Sequence, residues 1–170
     1  LTFDKIKEIS PKGIVLSGGP ASVHQMGAPL LDKRIFELGV PVLGICYGMQ
    51  LIAHLRDAQV IQAAKREYGR AELLIDEPYG IFSGLPRKIT CWMSHGDYIK
   101  MLPKNFKTLA HTKNTPIAYL EEKGKKIYGL QFHPEVIHTQ HGKDILANFL
   151  FKVCRCQKSW QLSSFADEAI

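Results

Sequence analysis

One stretch restricts the fold of this chain more than any other: the eleven residues from Val40 to Gln50, VPVLGICYGMQ. Its apolar run Val42–Ile45 has the length and composition of a buried strand. Met49–Leu55 reads as a helix, so the chain must bend sharply at Cys46, which has Gly44 two positions before it and Gly48 two after. A side chain on such a bend needs close neighbours without β-carbons. The following helix points its N-terminus at the sulfur, and its free N–H groups favour thiolate over thiol. The stretch predicts a reactive cysteine on a βα elbow. A buried core cysteine in an ordinary βα unit is the alternative.

At 170 residues and 45% hydrophobic, the chain suits one domain with a substantial core. No apolar run approaches a membrane span and no leader opens the sequence, so no membrane partner is expected. The four cysteines (Cys46, Cys91, Cys154 and Cys156) are too few and too irregular for a disulfide framework, which predicts a reducing, cytoplasmic setting. The net charge of +6 comes from scattered Lys and Arg, with small clusters at Lys123–Lys126 and Lys152–Lys158. These read as solvated faces and predict no nucleic-acid partner. Cys154-x-Cys156 lacks a second ligand pair, so no metal is expected.

Along the chain, Phe3, Ile6 and Ile9 predict a short amphipathic helix, and Ile14–Leu16 a buried-type strand running into Ser17-Gly18-Gly19-Pro20. Leu30–Leu38 carries a helical pattern closed by Gly39. Val60–Ala63 and Ala71–Ile75 read as two strands separated by a polar segment, Lys65–Arg70, and Asp76–Pro86 as a loop. Strands are expected at Ile89–Met93, Phe106–His111, Ile117–Glu121 and Ile127–Phe132, the last two joined as a hairpin by Lys123–Lys126. Gly142–Cys154 reads as a helix with Ile145, Leu146, Phe149, Leu150 and Val153 on one face.

A thiol nucleophile needs a base. His133 follows a strand, where active-site residues of open α/β sheets collect, and Pro134 holds it extended. In an extended chain Glu135 shares its face and can fix the imidazole tautomer. Cys–His–Glu is then a coherent acyl-transfer set; a surface histidine beside a solvated carboxylate is the alternative. The oxyanion of such a reaction needs donors. The backbone N–H of Tyr47 is one, and the Gly18-Gly19 turn supplies a second if it lies beside the elbow.

Three blocks in order, SGGP (Ser17–Pro20), GICYGMQ (Gly44–Gln50) and QFHPE (Gln131–Glu135), resemble the class I glutamine amidotransferases. KREYGRA (Lys65–Ala71), WMSHGD (Trp92–Asp97), the longer block Gln131–Thr139 and the tail Cys154–Trp160 are similar to the branch whose glutaminase domain serves GMP synthesis. The likeness runs from about Lys12 to Trp160.

The resemblance implies an α/β fold: a mixed, mostly parallel open sheet flanked by helices, flavodoxin-like, with a small antiparallel subregion. It implies that Cys46 attacks the side-chain amide of L-glutamine, that His133 shuttles the proton and that Glu135 orients His133. Backbone N–H groups of Gly19 and Tyr47 would hold the oxyanion, and Gln50, Ser94, Gly96 and Asp97 the amino-acid end of the substrate. It implies no cofactor or metal in this domain. Ammonia passes to a separate synthetase domain that uses ATP and Mg²⁺ to aminate XMP, in a homodimeric full-length enzyme. Residues 1–156 then form the amidotransferase domain and residues 157–170 a linker toward the synthetase. The glutaminase of another amidotransferase, or a cysteine hydrolase of similar fold, are the competing readings.

Two features depart from the family pattern. The family has a further strand before the first helix, so either residues precede Leu1 or the sheet carries a gap. Arg56-Asp57-Ala58 stands where the family has Gly-Gly after the elbow helix, which predicts a local rearrangement there.

Overall fold

The computed structural model describes residues 2–158, so the expected linker lies almost wholly outside the described residues. Helix α1 (Phe3–Ile9) starts at Thr2, whose side chain accepts the Lys5 N–H. Strand β1 (Ile14–Leu16) follows, with Val15 about half exposed, so it is less buried than its composition suggests. The pattern over Leu30–Leu38 yields only a 3₁₀ turn, Lys33–Glu37. Ile35 and Phe36 are buried there, but Leu30 is 69% exposed, so the apparent apolar stripe has no second turn to bury. Gly39 does take the left-handed conformation, at φ 72°.

The centre is β2 (Val42–Ile45) and α2 (Tyr47–Leu55). Strand β2 is buried on both faces, as a central strand must be. Alternation sends Val42 toward Met49 and Ile52 of α2, and Leu43 toward Tyr119, Phe132 and Phe149 on the opposite face. Gly44 shares the Val42 face, and a β-carbon there would lie 2.5 Å from the Gly48 carbonyl group. The glycine pair therefore sets how closely helix and strand approach, as the sequence predicts.

Strand β3 (Gln59–Ile75) is one 17-residue strand that runs through the polar segment expected to interrupt it. Its antiparallel partner β4 (Lys88–Met101) continues past Met93 through Ser94–Asp97. A register shift between Gln62 and Glu67 absorbs the irregularity. The expected strand Phe106–His111 divides into β5 (Phe106–Lys107) and β6 (Ala110–His111), which join different sheets. The predicted hairpin is β7 (Tyr119–Glu122) with β8 (Ile127–Leu130), turning at Gly124 with φ 75°. Helix α3 (Gly142–Ala147) passes into a π-helical segment, Asn148–Val153. The wider turn takes Leu150 off the expected face, leaving it 40% exposed while Ile145 and Phe149 stay buried.

The main sheet has the order β1-β2-β8-β7-β5 and the second β4-β3-β6. Strands β1, β2 and β8 are parallel, β7 pairs antiparallel with β8 and β5 antiparallel with β7, giving the mixed α/β sheet expected. Among the described residues the strands of the main sheet pair in unbroken order, with β1 at the edge and paired with β2 alone. No helix among the described residues is long and apolar enough to cross a membrane.

At the end of α2, where a rearrangement is expected, Asp57 takes the left-handed position of the helix end. Ala58 N–H donates to Ala53 O at 2.9 Å and Asp57 N–H to His54 O at 3.3 Å, a Schellman pair that puts Asp57 at φ 61°. The Arg56 guanidinium turns inward and pairs with the buried Glu122 carboxylate at 2.6 Å. Asp57→Gly is expected to stabilise the fold by about 0.5 kcal/mol, by relieving the left-handed backbone without disturbing Arg56. Urea unfolding midpoints read this directly; a lower midpoint than the parent protein refutes it.

Candidate active site

Three parallel neighbours, β1, β2 and β8, end side by side, with Leu16 opposite Gly44 and Ile45 opposite Leu130. Their C-terminal ends deliver Ser17–Pro20, Cys46 and Gln131–Glu135 to one crevice, where ligands of open α/β sheets bind. The Cys46 N–H donates to Leu130 O at 2.7 Å, which fixes the elbow to β8. Cys46 itself has φ 51° and ψ −106°, a strained conformation for a residue with a β-carbon. A β-carbon on Gly18 would lie 2.9 Å from His133 Cε1 and 3.6 Å from Cys46 Cβ, so this glycine sits against both residues.

His133 is clamped by its backbone. Its N–H donates to Trp92 O at 3.0 Å, and its carbonyl accepts from Thr139 Oγ at 2.6 Å. The Trp92 N–H in turn donates to Thr139 Oγ at 3.0 Å. The imidazole Nδ1 lies 2.7 Å from Glu135 Oε1. A carboxylate only accepts, so Nδ1 carries a proton and Nε2 is the ring nitrogen left to the rest of the site. Nε2 is buried and has no hydrogen-bond partner among the described residues.

Cys46 is almost wholly buried, and its Sγ–H donates to the Ser94 carbonyl oxygen at 3.5 Å. Burial pushes the thiol up to about 11; the Tyr47 N–H draws it down, the Glu135 charge pushes it up, and the Gln131 amide draws it down. The N–H at the start of α2 acts in the expected direction, toward thiolate, and desolvation of the buried sulfur opposes it as the larger effect.

A cavity of about 490 Å³ opens over the sulfur. Gly19, Cys46, Gln50, Ser94, Gly96, Asp97 and His133 all contribute to its wall. Two expected residues stand outside the wall: Glu135 is reached through His133, and the Tyr47 hydroxyl donates away to Pro29 O at 2.6 Å. A β-carbon on Gly19 would meet the Tyr47 ring at 3.7 Å, so the two residues expected to supply oxyanion donors pack against each other. Gln50 spends its amide hydrogens on Asp97 O at 2.8 Å and Gln131 Oε1 at 3.2 Å. A bond from Gln50 to a ligand therefore falls to its oxygen. Asp97 Oδ2 is buried without a partner among the described residues.

Arg66 also walls the cavity and lies beside Gly96, whose β-carbon would be 3.6 Å from Arg66 Nε. Behind the wall, Glu67 accepts from Thr115 Oγ at 2.6 Å and Thr112 Oγ at 3.1 Å, and lies 3.5 Å from His95 Nε2. Burial pushes the Glu67 carboxyl up, but the bonds from His95, Thr115 and Thr112 together hold it below the usual carboxylate range. Arg66, Glu67, His95 and Gln131 were not singled out by spacing or motif chemistry. One signal points to His95: strict alternation along β4 turns His95 and Asp97 inward with Cys91, Met93 and Ile99.

An elbow cysteine in one cavity with a histidine that pairs with a carboxylate, at the carboxyl ends of parallel strands, is the kind of arrangement thiol acyl transfer requires. The chain belongs to the class-I glutamine amidotransferases, whose family model matches residues 2–153. It is 49% identical over 169 residues, 99% of this chain, to the glutamine-hydrolysing GMP synthase of Acetivibrio thermocellus, and 52% identical over 167 residues, 98% of this chain, to that of Aquifex aeolicus. The chain spans about a third of the length of these relatives (33% in each). Among solved structures, a candidate GMP synthase component from Thermoplasma acidophilum superposes with TM-score 0.77 at 34% identity, covering 98% of this chain and 80% of that one. A Thermotoga maritima glutamine amidotransferase shares the fold at TM-score 0.65 and 23% identity, covering 94% and 66%.

Proposed function

We propose that this chain is the glutaminase domain of a glutamine-hydrolysing GMP synthase, releasing ammonia from L-glutamine through a thioester on Cys46. The observation that carries the reading is the meeting of Cys46, His133 Nε2 and Asp97 in one cavity, with the last two presenting buried polar atoms that lack partners among the described residues. His133 Nε2 takes the thiol proton as Sγ attacks the side-chain amide carbon, then hands it to the departing ammonia. Glu135 keeps the ring in the tautomer that makes this possible. The N–H groups of Gly19 and Tyr47 meet the oxyanion. Water then hydrolyses the thioester to glutamate. At the other end of the substrate, Arg66 suits the α-carboxylate, and Asp97 Oδ2 with the Gln50 oxygen suits the α-ammonium. Ser94 and Gly96 complete that wall.

The ammonia serves a synthetase domain that activates XMP with ATP and Mg²⁺, in a cytoplasmic homodimer. Residues 1–156 form the glutaminase domain and 157–170 lead toward the synthetase. The test is ammonia release by the full-length protein from glutamine and from asparagine, with and without ATP and XMP. Release from glutamine alone, rising when ATP and XMP are added, is expected. A rate indifferent to ATP and XMP points instead to a cysteine hydrolase of similar fold.

A further inference from the structure

Gln131 is fully buried, and both ends of its side chain are engaged beside the nucleophile. Its Nε2 lies 3.8 Å from Cys46 Sγ, and its Oε1 accepts from Gln50 Nε2 at 3.2 Å. The same Gln50 nitrogen donates to the Asp97 carbonyl oxygen at 2.8 Å, which also accepts from His95 Nδ1 at 2.9 Å.

An amide side chain fits its site nearly as well with oxygen and nitrogen exchanged, so its partners decide which way it faces. Here the decision starts at a group with no choice. The Asp97 backbone oxygen only accepts, so Gln50 must turn its NH₂ toward it. That NH₂ has a second hydrogen, and Gln131 offers an acceptor to it. Gln131 is thereby locked with its own NH₂ toward the sulfur. Two amides in series carry the polarity of one backbone carbonyl to Sγ. A lone glutamine beside a thiol has no such constraint, since a neutral S–H can also donate to the amide oxygen.

The consequence lies in the charged state of the sulfur. An N–H donor stabilises a thiolate more than a thiol, because a hydrogen bond to an ion is about twice as strong as one between neutral groups. The Sγ–H bond to Ser94 O works only while the proton is present. Once His133 has taken that proton, the sulfur needs donors, and the Gln131 amide is already in place.

We propose that Gln131 is a further catalytic residue, holding an N–H on Cys46 Sγ that stabilises the sulfur as an anion. Gln50 is the positioning residue that sets its direction. The proposal rests on Cys46 being the nucleophile.

The test is alkylation of Cys46 by iodoacetamide in the full-length protein, followed by mass spectrometry of the Cys46 peptide from pH 7 to 9.5. Gln131→Met keeps the length of the side chain and removes the donor. It is expected to slow alkylation about tenfold at each pH, equivalent to raising the thiol by about one unit. Gln50→Met leaves Gln131 free to turn its oxygen to the sulfur, and is expected to slow alkylation in the same direction by a smaller factor. Thermal unfolding of each variant separates this from packing, because a purely structural role lowers the midpoint without slowing alkylation. Alkylation as fast as wild type, or faster, overturns the proposal. If Gln131→Met does not fold, Gln50→Met decides by the same criterion. Alkylation requires no glutamine turnover, so failure here is distinguishable from failure of the glutaminase reading, which Cys46→Ala tests separately.

Discussion

Cys46→Ala is expected to slow ammonia release from glutamine by about 10⁴-fold or more. The size follows from the role proposed for the sulfur. It forms the bond that defines the intermediate, and no second cysteine lines the cavity among the described residues. His133 and the backbone donors then have no nucleophile to serve, and such groups act as a unit, so losing one member removes most of their joint effect. Alanine keeps the β-carbon already tolerated at φ 51°, so the elbow should persist and the thermal midpoint should move little. Amination of XMP from free ammonium salts bypasses Cys46 and should continue in the full-length protein. Ammonia release from glutamine at the parent rate would remove Cys46 from the mechanism.

The parts of the site that lie at strand ends were legible in the sequence. Ser17–Pro20, Cys46 and His133 each follow a short apolar run, and parallel neighbours bring such ends together without any further instruction. The glycines around the elbow were legible for the same local reason. What escaped is what depends on partners far along the chain. The segment Lys65–Arg70 reads as a polar break between strands, yet Glu67 points inward from β3 because Thr112, Thr115 and His95 satisfy it, residues 45, 48 and 28 positions away. A buried carboxylate with three partners is compatible with a strand interior, and none of those partners is visible locally. The desolvation of Cys46 escaped similarly. A helix N-terminus can be read from sequence, but the burial that opposes it comes with β4 crossing above the sulfur, a consequence of how the two sheets meet.

Gly48→Ala is expected to destabilise the fold by about 3 kcal/mol or more. Gly48 lies in the first turn of α2, where the helix crosses β1. A β-carbon there would fall inside the Leu16 carbonyl oxygen, 2.7 Å from the carbonyl carbon and 2.8 Å from Leu16 Cβ. The obstacle is backbone, which has no rotamer to change, so either α2 or β1 must shift. Helix α2 cannot retreat freely, because Met49 and Ile52 are fully buried and Arg56 is tied to Glu122 at its far end. Strand β1 has only β2 to hold it among the described residues, so it should yield first and carry the Gly18-Gly19 turn with it. The substitution is therefore expected to lower both the urea midpoint and the glutaminase rate of the molecules that still fold. Gly19→Ala is the contrasting case: its β-carbon would meet the Tyr47 ring at an ordinary 3.7 Å, and its effect on stability should stay within about 0.5 kcal/mol. Equal unfolding midpoints for the two variants would show that the helix–strand contact at Leu16 is not the constraint that shapes the elbow.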